Sequence, residues 1–170
     1  FQAAGAKAEG TGDVTVNWPS HQANDVGLLF IESNGSEPAL LGTPAGFTEL
    51  TSSPQIDDSG GNTTRLTVYW CRASSGSMTS PVITDPGNHA EAVIITYRGC
   101  RTFDVPFSAT AGGTTESVIA TAISIPGATT EAPNCRVVLG IANGGGWDAS
   151  GYTNAALTSI TERFDDFTGV

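Results

Sequence analysis

The chain has 170 residues and a formal net charge of −10, with 14% charged side chains and an isoelectric point near 4.3. This acidity argues against binding to nucleic acid, which requires a basic surface, and against docking on an anionic membrane. Serine and threonine, 37 in total, outnumber the 24 charged residues, and 21 glycines accompany 9 prolines; this composition is typical of a turn-rich β-protein with a single domain.

Four segments in the first part of the chain carry the apolar patterns of β-strands. They are DVTVNW (13–18), DVGLLFIES (25–33), RLTVYWCRA (65–73) and EAVIITYRG (91–99). The second is apolar almost without interruption from Val26 to Ile31, which predicts a central strand that is buried on both faces. Between these strands, Pro44 and Gly46 of GTPAGFTEL (42–50) predict a turn that delivers Phe47 into the sheet.

Three further segments predict strands in the second half of the chain. They are SVIATAISI (117–125), CRVVLGIAN (135–143) and LTSITERF (157–164). We therefore predict an all-β fold, an antiparallel and jelly-roll-like β-sandwich of residues 13–170 that follows an N-terminal arm of residues 1–12. The residues predicted to lie in its core are Leu28, Phe30, Val68, Trp70, Val93, Ile95, Val138 and Ile141.

The two halves of the chain share a short pattern. An apolar run that ends in Asn-Gly is followed by a loop and then by glycine, an aromatic residue and threonine, at 46–48 and again at 151–153. Two interpretations are open, an internal pseudo-symmetry or shared turn chemistry without a common origin.

The order of these motifs resembles a β-rich module of the virion proteins of tailed phages and prophages. The resemblance rests on VTVNWPSHQANDVGLLFIE (14–32), TPAGFTEL (43–50), TRLTVYWCRA (64–73), AVIITYRG (92–99) and the GYT…ITERFDD region, and it spans roughly residues 13–166. The chain departs from the module at Phe47, where tryptophan is frequent. The resemblance implies a non-enzymatic structural role on the particle surface, as a capsid decoration, head-fibre or tail component assembled in the cytoplasm of a bacterial host.

The alternative function is a carbohydrate-binding or adhesin domain that attaches to a host surface. A sugar platform needs exposed aromatic rings with polar neighbours. The residues that fit this description are Trp147 and Tyr152, flanked by Asn143, Asp148 and Asn154.

Motifs for catalysis or for a resident metal are absent from the sequence. His21 and His89 lie in turns, and no G-x-S-x-G or H-x-x-x-H pattern occurs. Asp57 and Asp58 are weak Ca²⁺ candidates because they lack the D-x-D-x-D-G spacing. We therefore expect no enzymatic activity and no cofactor. The three cysteines predict small apolar side chains in strands, with a Cys71–Cys100 disulfide as the alternative.

The segment SVIATAISI predicts an unprotected sheet edge because it contains no Lys, Arg or Pro. We expect a symmetric homo-oligomer, with a trimer favoured, that contacts other virion proteins. The alternative is a monomer that covers this edge with its own loops.

Overall fold

A computed structural model describes residues 1–34, 42–57, 64–84, 89–113, 122–143, 150–157 and 159–165. Within these ranges, β-strands are the only regular elements. They are β1 (Ala3–Ala4), β2 (Ala8–Gly10), β3 (Val14–Thr15), β4 (Val26–Asn34), β5 (Thr48–Glu49), β6 (Gln55–Asp57), β7 (Thr64–Arg72), β8 (Val82–Ile83) and β9 (Ala90–Tyr97). The predicted all-β, antiparallel fold is confirmed and agrees with a β-sandwich, whereas the jelly-roll order stays a prediction.

The long strands β4, β7 and β9 form the centre of the main sheet. β4 lies between the other two and pairs antiparallel with both, so that Leu29 is opposite Tyr69 on one side and Ile94 on the other. β1 and β2 pair with β9, β5 and β6 pair with β7, and β3 and β8 form a separate two-stranded sheet. Residues 1–12, predicted to be an arm, thus contribute two strands to the main sheet.

The main sheet buries side chains on both of its faces, because successive residues of a strand point in opposite directions. The first face packs against the small sheet, and its cluster consists of Val14, Val16, Leu29, Ile31, Phe47, Tyr69, Cys71, Ile83, Ala90, Ala92 and Ile94. The second face carries Val26, Leu28, Val93, Ile95 and Tyr97, with Phe1, Phe107 and Phe164 packed on it. Coverage of both faces explains the continuous apolar run in β4.

The Pro44–Phe47 turn has the predicted conformation. Gly46 adopts a φ of 82°, and the amide of Phe47 donates to the carbonyl of Pro44 at 3.0 Å. Phe47 is buried in the first core, and β5 begins at the next residue. Gly151 repeats the left-handed conformation with a φ of 71°, but residues 152–157 contain no strand. The described residues therefore share the turn chemistry without the element that follows it.

The strand predicted at residues 135–143 is wrong, and so are the described parts of those predicted at 117–125 and 157–164, since none of these residues lies in a strand. Val138 and Ile141, expected in the core, are 39% and 41% exposed. The physical reason is the contact at Gly140, where an added Cβ would lie 2.7 Å from the Phe30 ring. The segment therefore approaches the second face at its glycine, and the neighbouring apolar side chains remain exposed.

The remaining core predictions divide into two groups. Leu28, Val93 and Ile95 are buried, whereas Phe30, Val68 and Trp70 are half-buried. Residues 117–121 of the predicted edge strand lie outside the described ranges. All three cysteines are free thiols, so the alternative of a Cys71–Cys100 disulfide is wrong. The predicted strand position holds for Cys71 and is wrong for Cys100 and Cys135, which lie outside the strands.

Candidate functional site

Several of the predicted site residues lie outside the described ranges, namely Trp147 and Asp148 of the sugar platform and Asp58 of the Ca²⁺ candidate. Of the others, Asn143 and Asn154 are exposed and Tyr152 is half-buried. The Oδ1 of Asn154 accepts a hydrogen bond from the amide of Ala156 at 2.8 Å. Asp57 ends β6 opposite Thr64. The sugar platform therefore stays a prediction.

An ion pair between a buried carboxylate and an exposed arginine joins the start of β4 to the end of β9. Asp25 is 1% exposed, and its two carboxylate oxygens accept from Nε and Nη2 of Arg98 at 3.0 and 2.8 Å. The amide of Gln22 donates to the same carboxylate at 2.9 Å. The Arg98 guanidinium holds the pKa of Asp25 below its usual value. This two-point contact connects the ANDVG and ITYRG motifs and fixes both strand ends.

The cleft beside this ion pair has a volume of about 290 Å³ and includes Asn24, Gly99 and Thr102 in its lining. The carboxylate of Asp25 already accepts three hydrogen bonds there. Its acceptor capacity is therefore largely used within the protein. The arrangement accounts for a structural role of the Asp25–Arg98 pair.

Two further arginines direct the chain after β9 back onto the second face of the sheet. Nη2 of Arg72 donates to the carbonyl of Arg101 at 2.7 Å. Arg101 in turn donates to the carbonyls of Val105 and Phe107. The ring of Phe107 then meets the ring of Trp70 edge-on, with 5.4 Å between centroids. Hydrogen bonds to carbonyls thus position an aromatic side chain on the sheet.

Two arginines from the later part of the chain lie near the end of β9, on the same face of the sheet. The Arg163 guanidinium lies 4.5 Å from the centre of the Phe1 ring, within the range of a cation–π contact. Phe1 also meets Tyr97 edge-on at 6.2 Å. Burial raises the pKa of Tyr97, and the nearby guanidinium groups of Arg136 and Arg163 oppose that rise. Residues 136 and 163 are therefore both close to the end of β9.

Residues 122–143 present a set of exposed apolar side chains, which we call the C-terminal apolar surface. Its members are Ile123, Ile125, Val137, Val138, Leu139 and Ile141, and Val137 is the most exposed at 60%. A single exposed apolar residue is ordinary, but six in one segment are typical of an interaction surface. The segment contains one acid and one base, Glu131 and Arg136, in a chain of net charge −10.

The described backbone hydrogen bonds of this segment also differ from those of the strands. None of the backbone–backbone hydrogen bonds between described residues involves residues 122–143. The amide of Glu131 donates instead to the hydroxyl of Ser108 at 2.8 Å. Backbone that lies outside a sheet can add to the edge of a neighbouring sheet.

Other kinds of site find little support in the described part of the chain. No group of three or more His, Cys, Asp or Glu residues there is arranged to hold a metal ion. A helix long and apolar enough to cross a membrane is likewise missing from these ranges. Comparisons with protein-family models, with curated proteins and with solved structures find no match.

Proposed function

We propose that the chain is a structural module on the surface of a tailed-phage particle. It acts without catalysis, through contacts with copies of itself and with other virion proteins. The observation that carries the proposal is the C-terminal apolar surface of residues 122–143. The resemblance of the sequence motifs to phage virion modules supplies the biological context.

Self-association follows from the physical properties of this segment. Two copies that each carry a charge of −10 repel one another, so contact is least unfavourable where the charge is close to zero. Burial of exposed Val, Leu and Ile side chains supplies the driving force. The backbone of residues 122–143 lies in no strand, and it can form hydrogen bonds between copies. Closed symmetry satisfies identical surfaces on identical chains, and we propose a trimer.

Sedimentation velocity of the purified protein tests the assembly. A trimer would have three times the 17.4 kDa of one chain. We expect the double variant Val137→Asp and Leu139→Asp to sediment as a monomer at micromolar concentration. Val82→Asp is the matched control, because Val82 is 44% exposed and lies in β8, outside the C-terminal apolar surface. A monomeric parent protein, or equal dissociation by both variants, would contradict the proposal.

A second experiment tests whether the protein is a component of phage particles. Phage particles released from the source strain would be purified by density gradient and analysed by mass spectrometry and immunogold labelling. We expect the protein to copurify with particles in a fixed copy number and to be labelled on intact particles. Absence from purified particles would exclude a virion component whatever the oligomeric state.

A further inference from the structure

Arg65 is a buried cation in β7, on the first face of the main sheet. The residue is 8% exposed, and its Nε has no hydrogen-bond partner among the described residues. The ion pairs between described residues do not include Arg65 either. A guanidinium is charged at every pH that a protein tolerates, and a buried charge without a partner is costly. The Nε of Arg65 is therefore a buried donor that the described residues leave unsatisfied.

A surface cleft of about 180 Å³ opens beside Arg65, and we call it the Arg65 cleft. The other residues that contribute to its lining include Thr43, Glu49, Pro54, Thr67 and Tyr69. Glu49 and Tyr69 are directly opposite residues of the paired strands β5 and β7. Burial, and secondarily the Glu49 carboxylate, raises the pKa of Tyr69, so its phenol is a hydrogen-bond donor at neutral pH.

The lining defines the chemistry of a matching ligand. A planar guanidinium binds a carboxylate through two parallel hydrogen bonds, so the ligand group that matches Arg65 is a carboxylate. Glu49 accepts hydrogen bonds and repels negative charge, which disfavours a phosphate or a second carboxylate. The hydroxyls of the two threonines can both donate and accept. A ligand with a single carboxylate and several neutral hydroxyls satisfies all of these groups.

The size of the cleft sets an upper limit on the ligand. Drug-sized ligands occupy clefts of roughly 300–1,000 Å³. A cleft of about 180 Å³ is smaller than that range and suits one sugar ring. The exposed Pro54 at its rim offers an apolar surface for the carbon face of such a ring.

We propose that the Arg65 cleft binds a carboxylated monosaccharide, such as a uronic acid, either free or at the end of a glycan. Arg65 holds the carboxylate, and Glu49 accepts a hydrogen bond from a sugar hydroxyl. This site is separate from the residues of the predicted sugar platform, and it does not depend on the assembly proposed above.

Titrations followed by amide NMR, with glucuronate, glucose and acetate as probes, test the proposal. We expect glucuronate to shift the amides of residues 43, 49, 65, 67 and 69 with a dissociation constant of about 1 mM, a weak affinity suited to one sugar ring. Glucose lacks the carboxylate and acetate lacks the hydroxyls, so both should bind at least about tenfold more weakly. A glucuronate-terminated oligosaccharide that binds more tightly than free glucuronate would identify a glycan as the source.

Two variants separate binding from folding. Arg65→Met should abolish the glucuronate shifts and leave the melting temperature unchanged or higher, because it removes a buried guanidinium whose Nε has no hydrogen-bond partner among the described residues. Glu49→Gln should reduce the ratio of glucuronate to acetate affinity, and it keeps the proposal testable if Arg65→Met fails to fold.

Four results of these titrations would overturn the proposal, and a fifth comes from a peptide probe. They are the absence of glucuronate shifts at the cleft, equal affinity for glucose, binding that survives Arg65→Met, and a ratio that Glu49→Gln leaves unchanged. Tighter binding of a capped aspartate peptide than of glucuronate would also overturn it, because the cleft would then serve an acidic protein segment.

Discussion

At the scale of single residues, the pairing of Glu32 with Glu91 stands out. The two are directly opposite each other in the β4–β9 ladder. Burial raises the pKa of Glu32 to about 7, the charge of Glu91 adds to the rise, and His89 opposes it. Glu91 is compensated by Lys7 Nζ at 3.6 Å and by His89 Nε2 at 3.4 Å. Glu32 is therefore the member of the pair that takes up a proton.

This shift predicts a pH dependence of stability. The pKa of Glu32 is higher in the folded state than its usual 4.5, so the folded state binds more protons between these values. The stability that Glu32 contributes should be fully present below about pH 4.5 and be lost as the pH rises through 7. Because solvent screens part of the effect, we expect this loss to be about 1–2 kcal/mol.

Urea unfolding of the parent protein and of Glu32→Gln at several pH values measures this contribution. In Glu32→Gln the free energy of unfolding should no longer decline between pH 4.5 and 7. Glu162→Gln is the control, because Glu162 is exposed, and it should keep the decline. Identical slopes for the parent and Glu32→Gln would contradict the assignment.

Asp25 predicts the opposite dependence. Its pKa is lowered in the folded state, mainly by the hydrogen bonds from Arg98. The stability that it contributes is present above its usual pKa of 3.8 and is lost as the pH falls through the folded value.

We expect Asp25→Asn to lower the free energy of unfolding at neutral pH by roughly 2 kcal/mol, because a buried charge-assisted contact is lost. Asp104→Asn is a suitable control, since Asp104 is exposed and asparagine tolerates its φ of 57°. Chemical denaturation at neutral pH measures both variants, and equal stabilities would show that the Asp25–Arg98 pair does not hold the strand ends together.

At the scale of elements, two glycines permit close packing on the main sheet. An added Cβ at Gly27 of β4 would lie 2.5 Å from the Trp18 ring, and one at Gly140 would lie 2.7 Å from the Phe30 ring. Trp18 also donates its Nε1 hydrogen to the carbonyl of Thr79 at 3.2 Å, which restrains the indole. The contact at Gly27 therefore lies between a central strand and an anchored side chain.

We expect Gly27→Ala and Gly140→Ala each to destabilise the fold by roughly 1–3 kcal/mol through overpacking. Gly12→Ala is the matched control, because nothing lies within 4 Å of a Cβ at that position. Thermal unfolding measures all three. If Gly140→Ala is as stable as the control, residues 135–143 are not held on the second face. The contact between Gly140 and Phe30 would then not explain why the neighbouring side chains are exposed.

The sequence predicts well those strands in which the apolar pattern extends over the whole strand. β4, β7 and β9 each carry eight or nine residues with a clear apolar pattern. Residues 135–143 carry the same signal and form no strand, because alternation indicates which residues share a face but not whether a pairing partner exists. β1 and β2 show the converse, since alanine- and glycine-rich residues pair only because β9 provides an edge.

The Arg65 cleft was only partly predictable. The alternation in RLTVYWCRA predicts that Arg65, Thr67 and Tyr69 share one face of the strand. The core residues predicted from this segment, Val68 and Trp70, lie on the other face, so the burial of Arg65 does not follow from the sequence. The remaining lining comes from the turn before β5 and from Pro54. Their approach depends on the β5–β7 register, which no local pattern specifies.

At the scale of the whole molecule, net charge and the C-terminal apolar surface act against each other. The charge of −10 repels neighbouring copies over distances comparable with the Debye length, about 10 Å at 0.1 M salt. The attraction proposed for residues 122–143 is apolar, and moderate salt does not weaken it. Assembly should therefore be weakest at low ionic strength.

The salt dependence of self-association follows directly. As NaCl rises from about 0.02 to about 0.3 M, screening reduces the repulsion, and we expect the dissociation constant of the oligomer to fall several-fold. Sedimentation equilibrium at a series of salt concentrations measures this, with the monomeric Val137→Asp and Leu139→Asp variant as the reference for non-ideal behaviour. A dissociation constant that rises with the salt concentration would contradict this and would indicate ion pairs between the copies. The interface would then have to include charged surface outside residues 122–143, because that segment contains only Glu131 and Arg136.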